Sequence, residues 1–171
     1  MKRAVSIVLY LLGCCLSLYA EPDTPEIKLR DLDLDGLLIN KGGLTLTVTF
    51  DAKRERVFDE VIFDFYLLLE PQKDDLGLQF LHCRTVHRYL DEKTGLKSAV
   101  LLQQNVLDGI NPRTKCKYAV VATYRGKEVG VENSEQDRWW EDPALGAPVE
   151  DLFVRMADIP IVREWESVGK N

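Results

Sequence analysis

The segment Leu107–Asn133, LDGINPRTKCKYAVVATYRGKEVGVEN, decides how this chain is read. Pro112 interrupts its approach and holds the preceding Asn111 extended. From Cys116 the residues alternate. Cys116, Tyr118, Val120 and Ala122 fall on one face, and Lys115, Lys117, Ala119, Val121 and Thr123 on the other. Tyr124-Arg125-Gly126-Lys127 supplies a Gly-containing turn, after which Val129 and Val131 resume the alternation. Strand, tight turn and strand predict a β-hairpin preceded by a loop.

Upstream the same period recurs. Leu44, Leu46, Val48 and Phe50 alternate with Thr45, Thr47 and Thr49 and predict a strand with one apolar face. A charged connection is expected over residues 51–60. Val61–Leu69, rich in β-branched and aromatic residues, reads as a central strand covered on both faces. Residues 71–75 read as a turn, 76–90 as a long strand, 91–95 as a turn and 98–103 as a further strand. Downstream, the pattern breaks at Ser134 and a polar stretch surrounds Trp139 and Trp140. Residues 149–157 suit a short helix or an edge strand, and 158–166 a terminal strand. With almost no helical periodicity, these elements predict an all-β, antiparallel β-sandwich of one domain over residues 21–171, in which residues 134–171 form an irregular C-terminal extension packed on it.

Bulk properties narrow the function. The chain has 171 residues, 46% hydrophobic and 29% charged, which suits a globular domain able to bury a core without metals. Its formal net charge of −6 excludes nucleic acid as a natural partner, because phosphate binding needs clustered Lys and Arg. Lys2 and Arg3 precede an apolar run from Ala4 to Tyr19, then the small residue Ala20 and polar Glu21 and Pro22. Residues 1–20 therefore read as a signal peptide, and the protein as exported to periplasm, cell surface or medium. The alternative is a lipoprotein anchored through Cys14, since Leu11-Leu12-Gly13-Cys14 resembles a lipobox. In an oxidising compartment the two remaining cysteines, Cys83 and Cys116, are expected to form a disulfide, with two buried thiols as the alternative.

Chemistry-bearing patterns are few. Asp31, Asp33 and Asp35 before Gly36 match the start of a Ca²⁺ loop, but its closing Glu is replaced by Gly42. In a strand the same spacing points three acids to solvent and Leu32 and Leu34 inward, which is the preferred reading. His82, Cys83 and His87 invite a metal or nucleophile hypothesis. On a strand, however, His82 and His87 have opposite parity and face opposite sides. Trp139 and Trp140, if exposed, offer a contact surface for protein or carbohydrate; the preferred reading is that the loop folds back and covers a sheet edge with an aromatic lid. No catalytic constellation, metal site or cofactor motif emerges, and no enzymatic activity is expected.

The hairpin resembles the last two strands of fibronectin-III and immunoglobulin-like domains, which often read Leu-x-Gly-Leu-x-Pro-x-Thr-x-Tyr before an alternating strand. Leu107, Gly109, Ile110, Pro112 and Thr114 fit this pattern, and Cys116 stands at the place of its corner Tyr. The resemblance implies an immunoglobulin-like topology. In leader, size and strand pattern the whole chain also looks like small immunoglobulin-like, pilus-associated proteins secreted by mucus-dwelling gut bacteria. That likeness implies an adhesion or assembly module at the envelope or pilus, with a protein partner at the cell surface and self-association through sheet edges. The other reading to test is a periplasmic or surface binder of a small ligand, sugar or Ca²⁺.

Overall fold

The computed structural model describes residues 25–35, 43–72, 77–110, 112–150 and 152–155. The leader, Cys14, Gly42 and the terminal strand expected at 158–166 lie outside the described residues. Strand β1 spans Glu26–Asp35, β2 Gly43–Pro71 and β3 Gln79–Gln103. A short helix, α1, covers Gln104–Ile110, and β4 (Pro112–Tyr124) and β5 (Lys127–Asn133) form the hairpin. Two 3-10 turns, Trp139–Glu141 and Pro143–Leu145, precede β6 at Phe153–Arg155. All pairings between strands are antiparallel, in the order β5-β4-β2-β3-β6, with β1 also beside β2.

The fold is governed by two strands of unusual length, β2 with 29 residues and β3 with 25. The sequence reading cut each of them at a charged segment, 51–60 and 91–95. The backbone instead runs through both as strand, and the charges mark a corner. There the pairing steps from Ala52–Lys93 to Val57–Asp91, so that Lys53–Arg56 oppose only Glu92. Such a bulge bends both strands sharply. Arg54 at φ 66° and Gly95 at φ 68° take up the turn on the two strands.

Beyond the corner the sheet returns over itself. One layer holds β1, the first part of β2, the last part of β3 and β6; the other holds β5, β4 and the remaining parts of β2 and β3. Contacts between residues of one strand show the fold-over directly. The rings of Phe50 and Phe63 on β2 lie 4.7 Å apart. On β3, Ser98 Oγ meets Thr85 Oγ1 at 2.9 Å and His87 Nε2 at 2.8 Å. The result is an all-β, sandwich-like structure built from one continuous sheet.

Alternation then decides the core. Leu44, Leu46, Val48 and Phe50 from one layer pack with Val61, Phe63, Phe65, Leu67 and Leu69 from the other, all fully buried. Val120 and Ala122 of the hairpin close the same cluster, on the face that alternation assigned to them, and Tyr124, read as part of the turn, joins them at the end of β4. At the edge the layers touch closely: a Cβ on Gly130 would sit 2.9 Å from Leu29 Cγ, so glycine is what lets β5 approach β1. Leu107 and Ile110, expected in a loop, instead lie on α1 and are buried against the core. A seven-residue helix is too short to leave a clear periodic signal.

One further expectation is corrected and one alternative is decided. Cys83 and Cys116 are thiols and not a disulfide. Cys83 lies opposite Phe65 on one side of β2, and Cys116 opposite Leu69 on its other side. A whole strand and a register offset of four residues separate them, beyond the reach of a disulfide. Residues 149–157, read as helix or edge strand, supply β6, a three-residue edge strand along Val100–Leu102.

Candidate binding face

The outer face of the β4–β2–β3 layer carries a polar cluster. It begins with Asp64, an acid in the middle of the most apolar strand. Asp64 pairs across the sheet with Arg84, and the neighbouring Tyr66 pairs with His82. Arg84 donates from Nε to Asp64 Oδ1 at 2.7 Å and from Nη2 to Oδ2 at 3.1 Å, while His82 Nε2 meets Oδ1 at 2.8 Å. The other ring nitrogen of His82 lies 3.5 Å from Glu150 Oε1. Burial alone would raise the Asp64 pKa. The His82 and Arg84 hydrogen bonds and charges outweigh that and hold it below the ordinary carboxylate range.

Beside this cluster an aromatic layer closes the face. The Tyr66 ring stacks on His82 at 5.0 Å, and on Phe80 and Trp140 at 6.1 Å each. Trp139 meets Phe80 edge-on at 6.1 Å and Trp140 at 5.8 Å. Trp139 and Trp140 are only 6% and 7% exposed, in a second small core with Phe80 and Ala119. Adjacent residues can both point inward because they sit on a 3-10 turn and not on a strand. Trp139 and Trp140 therefore form a lid and not the alternative, an exposed contact surface. Arg138 clasps it, with Nη1 and Nη2 donating to Glu128 at 3.0 and 2.6 Å, Nε to Glu141 at 2.8 Å, and its guanidinium 5.5 Å from the centre of the Trp140 ring.

The inner face of β3 holds a different polar group. Thr85 and Ser98 are 5% and 3% exposed and, with His87, join the two layers near the corner. Burial lowers the His87 pKa and favours the neutral ring. Asp64–His82 and His87–Ser98 each reproduce part of a hydrolytic triad, but they lie on opposite faces of β3. The carboxylate and the hydroxyl cannot serve the same imidazole, so opposite parity of the two histidines, read from the sequence, has this consequence.

Asp31, Asp33 and Asp35 lie on β1 with their side chains exposed, opposite Thr49, Thr47 and Thr45, and Leu32 and Leu34 turn toward the core. Among the described residues no group of three or more His, Cys, Asp or Glu is placed to hold a metal ion. A second buried acid escaped sequence reading. Asp51 at the corner is fully buried, receives Arg30 and the Gly95 N–H, and has a pKa lowered to about 2, chiefly by the Arg30 hydrogen bond. At the hairpin turn Tyr124 donates to Glu55, which also accepts from Arg125 at 3.0 Å. The signal for Asp64 was an acid inside an apolar run. Asp51 gave none, being one charge in a charged segment.

No family model matches the chain, and no curated protein matches it in sequence. A crystal structure of a protein from Akkermansia muciniphila has the same fold with a TM-score of 0.67. The match covers 84% of this chain and 90% of that one at 17% identity, a likeness of fold alone.

Proposed function

We infer that the protein is a non-enzymatic module of the cell envelope or pilus, exported and engaged with a protein partner at the cell surface. The observation that carries this reading is strand edge left open in a sandwich. Among the described residues β1 pairs only with β2, and no strand lies beside the outer side of β3 between Arg84 and Ala99. An open edge can accept another chain's strand through backbone hydrogen bonds. The polar clusters support the same view. Asp64 is spent on His82 and Arg84, and Ser98 is buried, so both read as fastenings of the fold. The immunoglobulin-like resemblance of the hairpin and the fold shared with the Akkermansia muciniphila protein agree with this setting.

Cross-linking in the native host followed by purification tests the reading. The expected result is recovery from the envelope fraction together with fibre or surface components. Recovery only as an uncrosslinked protein of the cell interior would overturn it. Binding of a sugar through Trp139 and Trp140 loses its platform because both rings are buried.

A further inference from the structure

Two edges that are open among the described residues complement one another. On β3, the His82 N–H donates to Val149 O at 3.0 Å, and the Val149 N–H donates to Phe80 O at 2.8 Å. Even-numbered residues of this stretch thus aim their backbone groups away from β2. By the alternation of an antiparallel ladder, Arg84, Val86 and Arg88 do the same. Among the described residues the chain's own cover stops at Leu81 on one side and resumes at Val100 on the other. Arg84 and Arg88 each hold an acid of their own chain, yet their side chains are 56% and 70% exposed, and Val86 between them is 40% exposed.

The second edge is β1. Asp31, Asp33 and Asp35 project from one face, exposed, and take no hydrogen bond or ion pair among the described residues; Leu32 and Leu34 on the other face are half-buried. We propose that β1 of one copy adds antiparallel to the open edge of β3 in a second copy, Asp31 opposite Arg88 and Asp35 opposite Arg84. Asp33 then stands opposite Val86 and diagonal to both arginines, within reach of them. In the same register Leu34 and Leu32 fall beside Thr85 and His87 and extend the core across the joint. Pairing like edges would oppose acids with acids, or Arg88 with itself, so charge selects the mixed joint. Because the two edges differ, the contact is head-to-tail and each copy still offers one free edge. Such an interface propagates into an open chain of subunits. The inference rests on the module reading for its setting and names the partner as the protein itself.

The test uses the purified mature protein in sedimentation runs over a range of concentrations. The expected result is association that weakens with added salt and is lost, by about tenfold or more in affinity, in Asp31→Lys and separately in Arg88→Glu. Mixing those two variants should restore assembly, since each supplies the edge that the other needs. Val86→Pro removes only an outward N–H and should block assembly while leaving the melting temperature close to that of the unaltered protein. A protein monomeric at all concentrations, association indifferent to both reversals, or slow amide exchange at Arg84–Arg88 in dilute monomer (an edge already occupied by its own chain) would each overturn the proposal. Continued recovery with other fibre components would leave the envelope reading standing even then; loss of both would end both.

Discussion

Ser98 shows how a single side chain can hold a bent strand. It is buried, and its hydroxyl touches Thr85 and His87, residues of the same strand on the opposite layer. Ser98→Ala would leave the Thr85 hydroxyl and a His87 nitrogen without their partner, a cost of about 1–3 kcal/mol. Ser98→Val, which fills the space without the hydroxyl, should cost no less, since the stranded groups are the same. Urea unfolding measures both. Asp64→Asn keeps the shape of the outer cluster but removes the charge that Arg84 and His82 share. A loss of about 1–2 kcal/mol is expected, because Arg84 is more than half exposed and water takes over part of its solvation. No change in either variant would mean that the contacts are incidental to stability.

Among the elements, the lid separates two effects of tryptophan. Trp140 stacks on Tyr66 and lies under Arg138, so Trp140→Ala should destabilise the fold by about 3–4 kcal/mol and expose Phe80 and Tyr66. Trp139 carries a buried indole N–H that meets no acceptor among the described residues. Trp139→Phe removes that N–H while keeping a ring against Phe80, and should cost about 1 kcal/mol or less despite the smaller ring. Thermal melts of the two variants should therefore differ widely. Elements were also where sequence reading gained and lost most. The hairpin from Cys116 and the strand from Leu44 were legible because one face of each meets a core and the other does not. The corners at Lys53–Arg56 and Glu92 were read as loops, since charge is the usual mark of a connection. They remain strand because the bulge turns those charges outward on the convex side. The opposite faces of His82 and His87 were legible from their parity, but the partners that the fold-over brings to His87 and to the Trp139–Trp140 lid are encoded in no local pattern.

At the scale of the molecule, His87 and the buried acids Asp51 and Asp64 act in one direction. His87 has its pKa lowered by burial, so the unfolded chain binds a proton there more readily than the folded one. Its contribution is complete above the ordinary histidine value of about 6.5 and is lost as pH falls through the lower folded value. Asp51, held at about 2 chiefly by Arg30, and Asp64, whose burial is outweighed by His82 and Arg84, behave alike in a lower window. Their contributions are complete above about 4 and fade as pH falls toward the folded values. Stability should thus decline on acidification in two steps, the first below about 6.5 and the second below about 4. Melting temperature against pH resolves them. His87→Gln, which keeps a polar group near Ser98 without titrating, should flatten the first step and leave the second. Asp51→Asn should do the reverse, at the expense of a lower plateau near neutrality, because Arg30 and the Gly95 N–H lose a charged acceptor. A first step that survives His87→Gln would assign it elsewhere and would break the link between the fold-over of β3 and the acid response of the molecule.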